Sequence, residues 1–285
     1  MRVTEKACPI TGGKKKVICI DFMPTEIKKI YEGDDLKPHI KEAKEMFDKR
    51  VKENNSFAFG SYKAADCIER IETGNSIFEQ PASLTKLTKK ARQQTVKRRK
   101  KYTEFEGEPQ LERYLEGSET PFQTKTKRTS NQSINIDIYI HIGTSGGVNA
   151  DLLAEYYSDA ITEAYKYILQ GRNVNVYAID TGTEAYENGS SSIIRTCLKE
   201  AGKPVDFKRI SCAMYPAFFR HYFFNALFFA PVKPASSFGR AIHDLKKIEK
   251  LCKTFPDYND SKEVLLFDFK AWQDNGKTMP EIKGK

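Results

Sequence analysis

The run Ile134-Asn135-Ile136-Asp137-Ile138-Tyr139-Ile140-His141-Ile142-Gly143-Thr144-Ser145-Gly146-Gly147 decides the fold. Five isoleucines alternate strictly, which is the period of a strand. Tyr139 and His141 fill the other face with little charge, so both faces are expected to be covered, as in a parallel sheet. The glycines that follow make a turn. Asn149 is then placed to cap a long helix, because its side-chain oxygen can accept an orphan N–H. Leu152, Leu153, Tyr156, Ala160, Ile161, Ala164 and Ile168 keep helical spacing, and Gly171 ends it.

Outward from this unit the alternation of elements continues. Val174, Val176 and Ala178 predict a second strand, Ser190 to Ala201 a short helix, and Val205 to Ile210 a third strand. Ala241 to Cys252 predicts a helix and Val264 to Asp268 an apolar strand. Strands alternating with helices imply an α/β fold, a parallel-rich sheet with helices on both faces joined by right-handed crossovers. Before Ser130 the chain reads differently. Leu36 to Asn54 and Ser61 to Thr73 have helical spacing, Ser83 is placed to cap a third helix, and Val17 to Ile20 suits an edge strand. The expected division is a mostly helical, charge-segregated region over 1–130 and an α/β domain over 131–285.

Composition narrows the class. The 285 residues carry a net charge of +9, with 30% charged and 12% aromatic residues, too aromatic for a disordered chain. No apolar run is long enough for a membrane span, and no signal peptide is evident. The six cysteines are scattered without a CxxC pair, so neither a disulfide framework nor a zinc ribbon is expected. A reduced cytoplasmic protein without a cofactor follows, in the host cytoplasm if the source is viral.

The positive charge is concentrated. Lys86, Lys89, Lys90, Arg92, Lys97, Arg98, Arg99, Lys100 and Lys101 fall within sixteen residues that hold no acid. Six glutamates between Glu104 and Glu119 follow. Such a segment is either a solvated helix face or a contact for nucleic acid. A second unusual segment runs from Tyr215 to Ala230, where twelve of sixteen residues are Ala, Leu, Phe or Tyr. It is expected to be a core helix, or else an aromatic dock for a protein partner in which Phe218, Phe219, Arg220, Phe223 and Phe224 make the contact.

The turn 143–147 also matches GxSxG, the pattern of a serine nucleophile between strand and helix. His221 and His243, the histidines late enough to serve it, both fall in predicted helices. No strand-end acid is evident between Ser145 and His243. Ser145 is therefore not expected to be a nucleophile, and no catalytic residue is assigned. His141 reads as a core histidine.

The order of elements resembles the von Willebrand factor A domain over about 131–274. That family ends its first strand in a D-x-S-G-S metal motif, where this chain has Gly143-Thr144-Ser145-Gly146-Gly147. Its second strand is similar to Val174–Thr181. Its metal-site threonine is matched best by Ser236 or Ser237, and its final strand-end Asp by Asp268. The resemblance implies a degenerate metal site over Gly143, Ser145, Gly147, Ser236, Ser237 and Asp268. Glycines replace the leading Asp and the second Ser, which leaves one carboxylate and two hydroxyls, so no bound metal is expected. It further implies a non-catalytic binding or assembly protein with a protein partner, such as a AAA+ ATPase. The layout of a basic stretch, an acidic stretch and then this domain resembles uncharacterised bacteriophage proteins.

Overall fold

The computed structural model describes residues 1–73, 100–103, 108–109, 113, 115–116, 122–125, 136–144, 146–169, 172–203, 210, 213, 215–235, 240–258 and 263–279. The chain forms two compact units, one of Met1–Glu79 with Asn135–Lys285 and one of Gln80–Ile134.

The larger unit is built on strands β1 (Arg2–Ala7), β2 (Lys16–Asp21), β6 (Ile136–His141), β7 (Val174–Thr183), β8 (Ser191–Lys199), β9 (Arg240–Ala241) and β10 (Glu263–Asp268). They form one mixed sheet in the order β1-β2-β8-β7-β6-β10, with β9 beside β7. β6 is parallel to both β7 and β10, while β7 and β8 form an antiparallel hairpin. All six residues of β6 are buried, as expected for a strand covered on both faces.

Helix α5 (Ala150–Leu169) makes the crossover from β6 to β7. Asn149 Oδ1 accepts the N–H of Asp151 at 2.7 Å and so caps it. Tyr156 and Tyr157 are buried at its inner face, and their hydroxyls donate to the carbonyls of His141 (3.0 Å) and Ile142 (2.8 Å). Helix α6 (Leu245–Cys252) contributes Ile248, Leu251 and Cys252 to a core that also contains Tyr139, Tyr177, Ile179 and Ile193. Asp244 caps α6 through the N–H groups of Lys246 and Lys247. Helix α7 (Phe269–Asp274) follows β10 directly.

Several expectations are corrected. Ser190 to Ala201 is not a helix but the strand β8. Ile193 and Ile194 are buried on opposite faces, and the turn before β8 passes through Gly189 at φ +71°. The helix expected from Ala241 begins only at Leu245, because Arg240 and Ala241 pair with the end of β7. The sheet was expected to be parallel-rich, and among the described residues its parallel and antiparallel pairings are equal in number.

The division near residue 130 also changes. Val17–Ile20 lies inside the sheet, with β1 on one side and β8 on the other. The helices α1 (Pro24–Tyr31), α2 (Pro38–Lys52), α3 (Ser56–Phe59) and α4 (Ala64–Thr73) belong to the same unit. All but Ile210 of the strand predicted over Val205 to Ile210, and the basic positions Lys86, Lys89, Lys90, Arg92, Lys97, Arg98 and Arg99, lie outside the described residues. Lys100 and Lys101 are not helical. They open β3 (Lys100–Thr103), which pairs with β5 (Phe122–Lys125) beside β4 (Glu108–Pro109) in the smaller unit.

The aromatic segment is core, not dock. Phe218, Phe219, Arg220 and Phe223 are buried and Phe224 is half-buried. Between its flanking prolines the helix widens to a π-helical turn over Phe218–Phe223. Phe223 meets Phe22 edge-on at 5.0 Å, and Tyr31 donates to Asn225 Oδ1 at 2.8 Å. Arg220 bonds the carbonyls of Phe57 (2.9 Å) and Val148, and its guanidinium stands over the Phe57 ring. Such rings bury large areas, and what they cover here is the α1–α4 layer.

His221 sits in this segment between Phe47 and Phe59, fully buried, with neither ring nitrogen hydrogen-bonded among the described residues. Burial, and secondarily the charge of Arg50, hold its pKa well below the usual histidine value. The unfolded chain takes up a proton near pH 6.5 that the folded chain refuses. This stability is present above pH ~6.5 and is lost as the pH falls below it. His221→Leu should remove about 1 kcal/mol of the stability lost between pH 6.5 and 5.5, read by urea unfolding at each pH. An unchanged pH slope would show that the ring is charged inside the protein.

Among the described residues no helix is long and apolar enough to cross a membrane. Cys8, Cys19, Cys67 and Cys252 are free thiols.

Candidate functional site

Three parallel strands end at one edge of the sheet. In the ladder His141 is level with Asp268 of β10 and with Ile179 of β7. The carboxyl edge of such strands is where α/β sheets open a crevice, because the connecting loops splay apart there. β7 runs on past β6, and its last residues pair with β9, which brings His243 back over the end of β6.

Asp268 is the centre of the site. Its Oδ2 lies 2.8 Å from His141 Nδ1 and 3.1 Å from His243 Nδ1, and its Oδ1 accepts the Ala271 N–H at the start of α7. Burial pushes the carboxyl upward, but these hydrogen bonds outweigh it and hold Asp268 well below the usual carboxylate range. The other ring nitrogen of His141 lies 3.0 Å from Thr181 Oγ1. Asp268 and His141 are almost fully buried, whereas the side chain of His243 is 24% exposed and forms the solvent side of the group.

Asp180 is a second buried carboxyl at this edge. Burial raises its pKa, opposed by the nearby His141 and by the Thr181 backbone N–H. It also explains Gly143. A Cβ at position 143 would fall inside the van der Waals surface of Asp180 Oδ1 and 3.1 Å from His141 Nε2. The space that a side chain at position 143 would need is taken by the Asp180 carboxyl of β7. Thr144 Oγ1, next in the chain, is buried with no hydrogen-bond partner among the described residues.

Of the positions singled out in the sequence, Gly143 and Asp268 converge here, and Gly147 lies on the exposed turn before α5. Ser145, Ser236 and Ser237 lie outside the described residues. His141, Asp180, Thr181 and His243 were missed. His243 was expected in a helix but instead precedes the Asp244 cap, and the strand-end acids Asp180 and Asp268 were overlooked as its neighbours. Asp180 could have been found as the lone acid in an otherwise uncharged strand.

The donors do not suit the Mg²⁺ of an adhesion-type site. A hard cation takes oxygen ligands, and here two imidazoles occupy Oδ2 of Asp268. Cysteine chemistry finds no support at the described thiols either: burial pushes Cys67 up to about 12, far from a thiolate.

A family model described as a domain of unknown function, DUF7192, matches residues 62–280. No curated protein and no solved structure matches the chain. The matched span contains His141, Asp180, His243 and Asp268, whereas β1, β2 and α1–α3 precede it.

Proposed function

The chain belongs to the DUF7192 family of domains of unknown function, and from its site we propose a non-catalytic binding protein that engages a protein partner at the carboxyl edge of a von Willebrand factor A-like sheet. One observation carries this reading. Asp268, which the resemblance assigns to one site with Gly143 from the opposite end of the domain, pairs at the end of β10 with His141 at the end of the adjacent parallel strand, two residues before Gly143. Mutual hydrogen bonds fix the geometry of this edge. Both oxygens of Asp268 and both nitrogens of His141 have partners. The partner class implied by the resemblance is a AAA+ ATPase.

The loop 146–149 flanks this edge and is largely exposed. Gly146→Arg should block it without disturbing the fold, since a Cβ there meets only the Phe57 ring at an ordinary 3.7 Å. Capture from the native cell with the full chain should yield a partner that resists nuclease and is lost with Gly146→Arg at an unchanged melting temperature. Capture that ignores this change would move the partner away from the edge. Stoichiometric fluorophosphonate labelling abolished by Ser145→Ala would replace the binding reading with a hydrolase.

A second reading rests on the nine basic residues between Lys86 and Lys101, unbroken by any acid. Nucleic acid bound there releases condensed counterions, so its affinity falls steeply with salt. In the same capture, a nuclease-sensitive yield that disappears when Lys97, Arg98, Arg99, Lys100 and Lys101 are changed to Glu would favour this reading.

A further inference from the structure

We propose that His141, His243 and Asp268 bind a divalent transition ion of the Zn²⁺ class. The ion would take Nδ1 of each ring and Oδ2 of the carboxylate. This assignment stands on the geometry of the three residues and does not depend on the identity of any partner.

The spacing fits. One ligand atom from each residue can be chosen so that all lie within 4.8 Å of one another. A tetrahedral ion with bonds of about 2.0–2.1 Å separates its ligands by about 3.3 Å. The two nitrogens stand 2.8 and 3.1 Å from Oδ2, so each needs to open by only a few tenths of an ångström. The rings meet edge to face at 5.8 Å, and both Nδ1 atoms lie against the same carboxylate oxygen.

The surroundings fit as well. A ligating histidine is fixed by a hydrogen bond at its other nitrogen, and Thr181 Oγ1 provides one to His141. Asp268 Oδ1 is fixed by Ala271, which leaves Oδ2 to face the ion. Asp180 adds a second carboxyl nearby, and among the described residues no Lys or Arg forms an ion pair with Asp268. A dication would therefore meet compensating charge. The partly exposed His243 gives the ion a way in.

Two imidazoles and one carboxylate select the ion. Imidazole suits Zn²⁺, Fe²⁺, Cu²⁺ and Ni²⁺, whereas Mg²⁺ prefers oxygen and retains its water. Three protein ligands leave a fourth position for water or for an oxygen of a bound molecule.

The test uses the full chain, stripped with a chelator and dialysed. Titration calorimetry with Zn²⁺ should give one ion per chain, and Zn²⁺ should raise the melting temperature while millimolar Mg²⁺ leaves it unchanged. Co²⁺ should give the visible absorption of a tetrahedral nitrogen–oxygen site without a thiolate charge-transfer band. His243→Ala, at a position already open to solvent, should keep the far-ultraviolet circular dichroism and weaken Zn²⁺ binding by about 100-fold. Thr181→Val should weaken it by about 10-fold through the orientation of His141. Absence of stoichiometric Zn²⁺ binding would overturn the assignment. So would binding that persists in His243→Ala or shows a thiolate band, since the ion would then sit elsewhere.

Discussion

Gly143→Ala is expected to destabilise the protein by about 3 kcal/mol, and adding Asp180→Ala should recover most of that loss. The added methyl would overlap Asp180 Oδ1, and the carboxyl is enclosed. Either the acid leaves its place or the turn after β6 shifts, and both disturb the ends of two paired strands. Asp180→Ala alone should cost about 1 kcal/mol, because it removes a buried polar group that is only partly compensated. The two costs should then fail to add by about 3 kcal/mol, measured by urea unfolding of the two single variants and the double variant. Strict additivity would mean that Asp180 turns aside freely and that Gly143 is not reserved for it.

Arg195→Ala should be comparably damaging, by about 3–5 kcal/mol. Arg195 bonds Asp21 Oδ2 at 2.6 Å and Asp257 at 2.8 and 3.1 Å, and its guanidinium lies between the Phe255 and Tyr177 rings at 4.0 and 4.8 Å. Burial disfavours its charge, but the two carboxylates outweigh burial and keep it firmly protonated. Asp21 stands opposite Arg195 in the β2–β8 ladder, so the same side chain ties the N-terminal hairpin to the sheet. Arg195→Lys should recover less than half of the loss, because an ammonium has neither the planar fork nor the stacking face. Recovery close to the wild type would mean that charge alone is at work. Chemical denaturation at low and high salt distinguishes the two, since stacking is insensitive to screening.

Much of the fold could be read from local pattern. The isoleucine alternation of β6, the Asn149 cap with its helix and the apolar β10 were all legible, because each carries its own period or cap. β8 was misread because Ile193, Ile194, Cys197 and Leu198 suit one face of a helix as well as a doubly buried strand. What decides between them is pairing with β7 and β2, which is not a local property. Val17–Ile20 was recognised as a strand but placed at an edge, since nothing near it in sequence announces a parallel partner at Ser191–Arg195. The site was half legible for the same reason. Asp268 stood out at the end of an apolar strand, whereas His141 looked like core filling. That Gly143 makes room for Asp180 shows only when β6 and β7 lie side by side.

The pairing of β2 with β8 sets the order in which the protein can be completed. During synthesis the strands Arg2–Ala7 and Lys16–Asp21 emerge before the other strands of their sheet, but an isolated two-stranded hairpin is at best marginally stable in water. Their stabilising neighbour is made only after β6, α5 and β7 have left the ribosome. Until then Val17, Ile18, Cys19 and Ile20, all buried in the finished sheet, have an unpaired edge. Contacts between such distant parts of a chain form slowly, because a long loop must close before they return any energy. A nascent chain arrested before Ser191 should therefore be a substrate for chaperones and prone to aggregate through this β-branched stretch, and release past Lys199 should end that vulnerability.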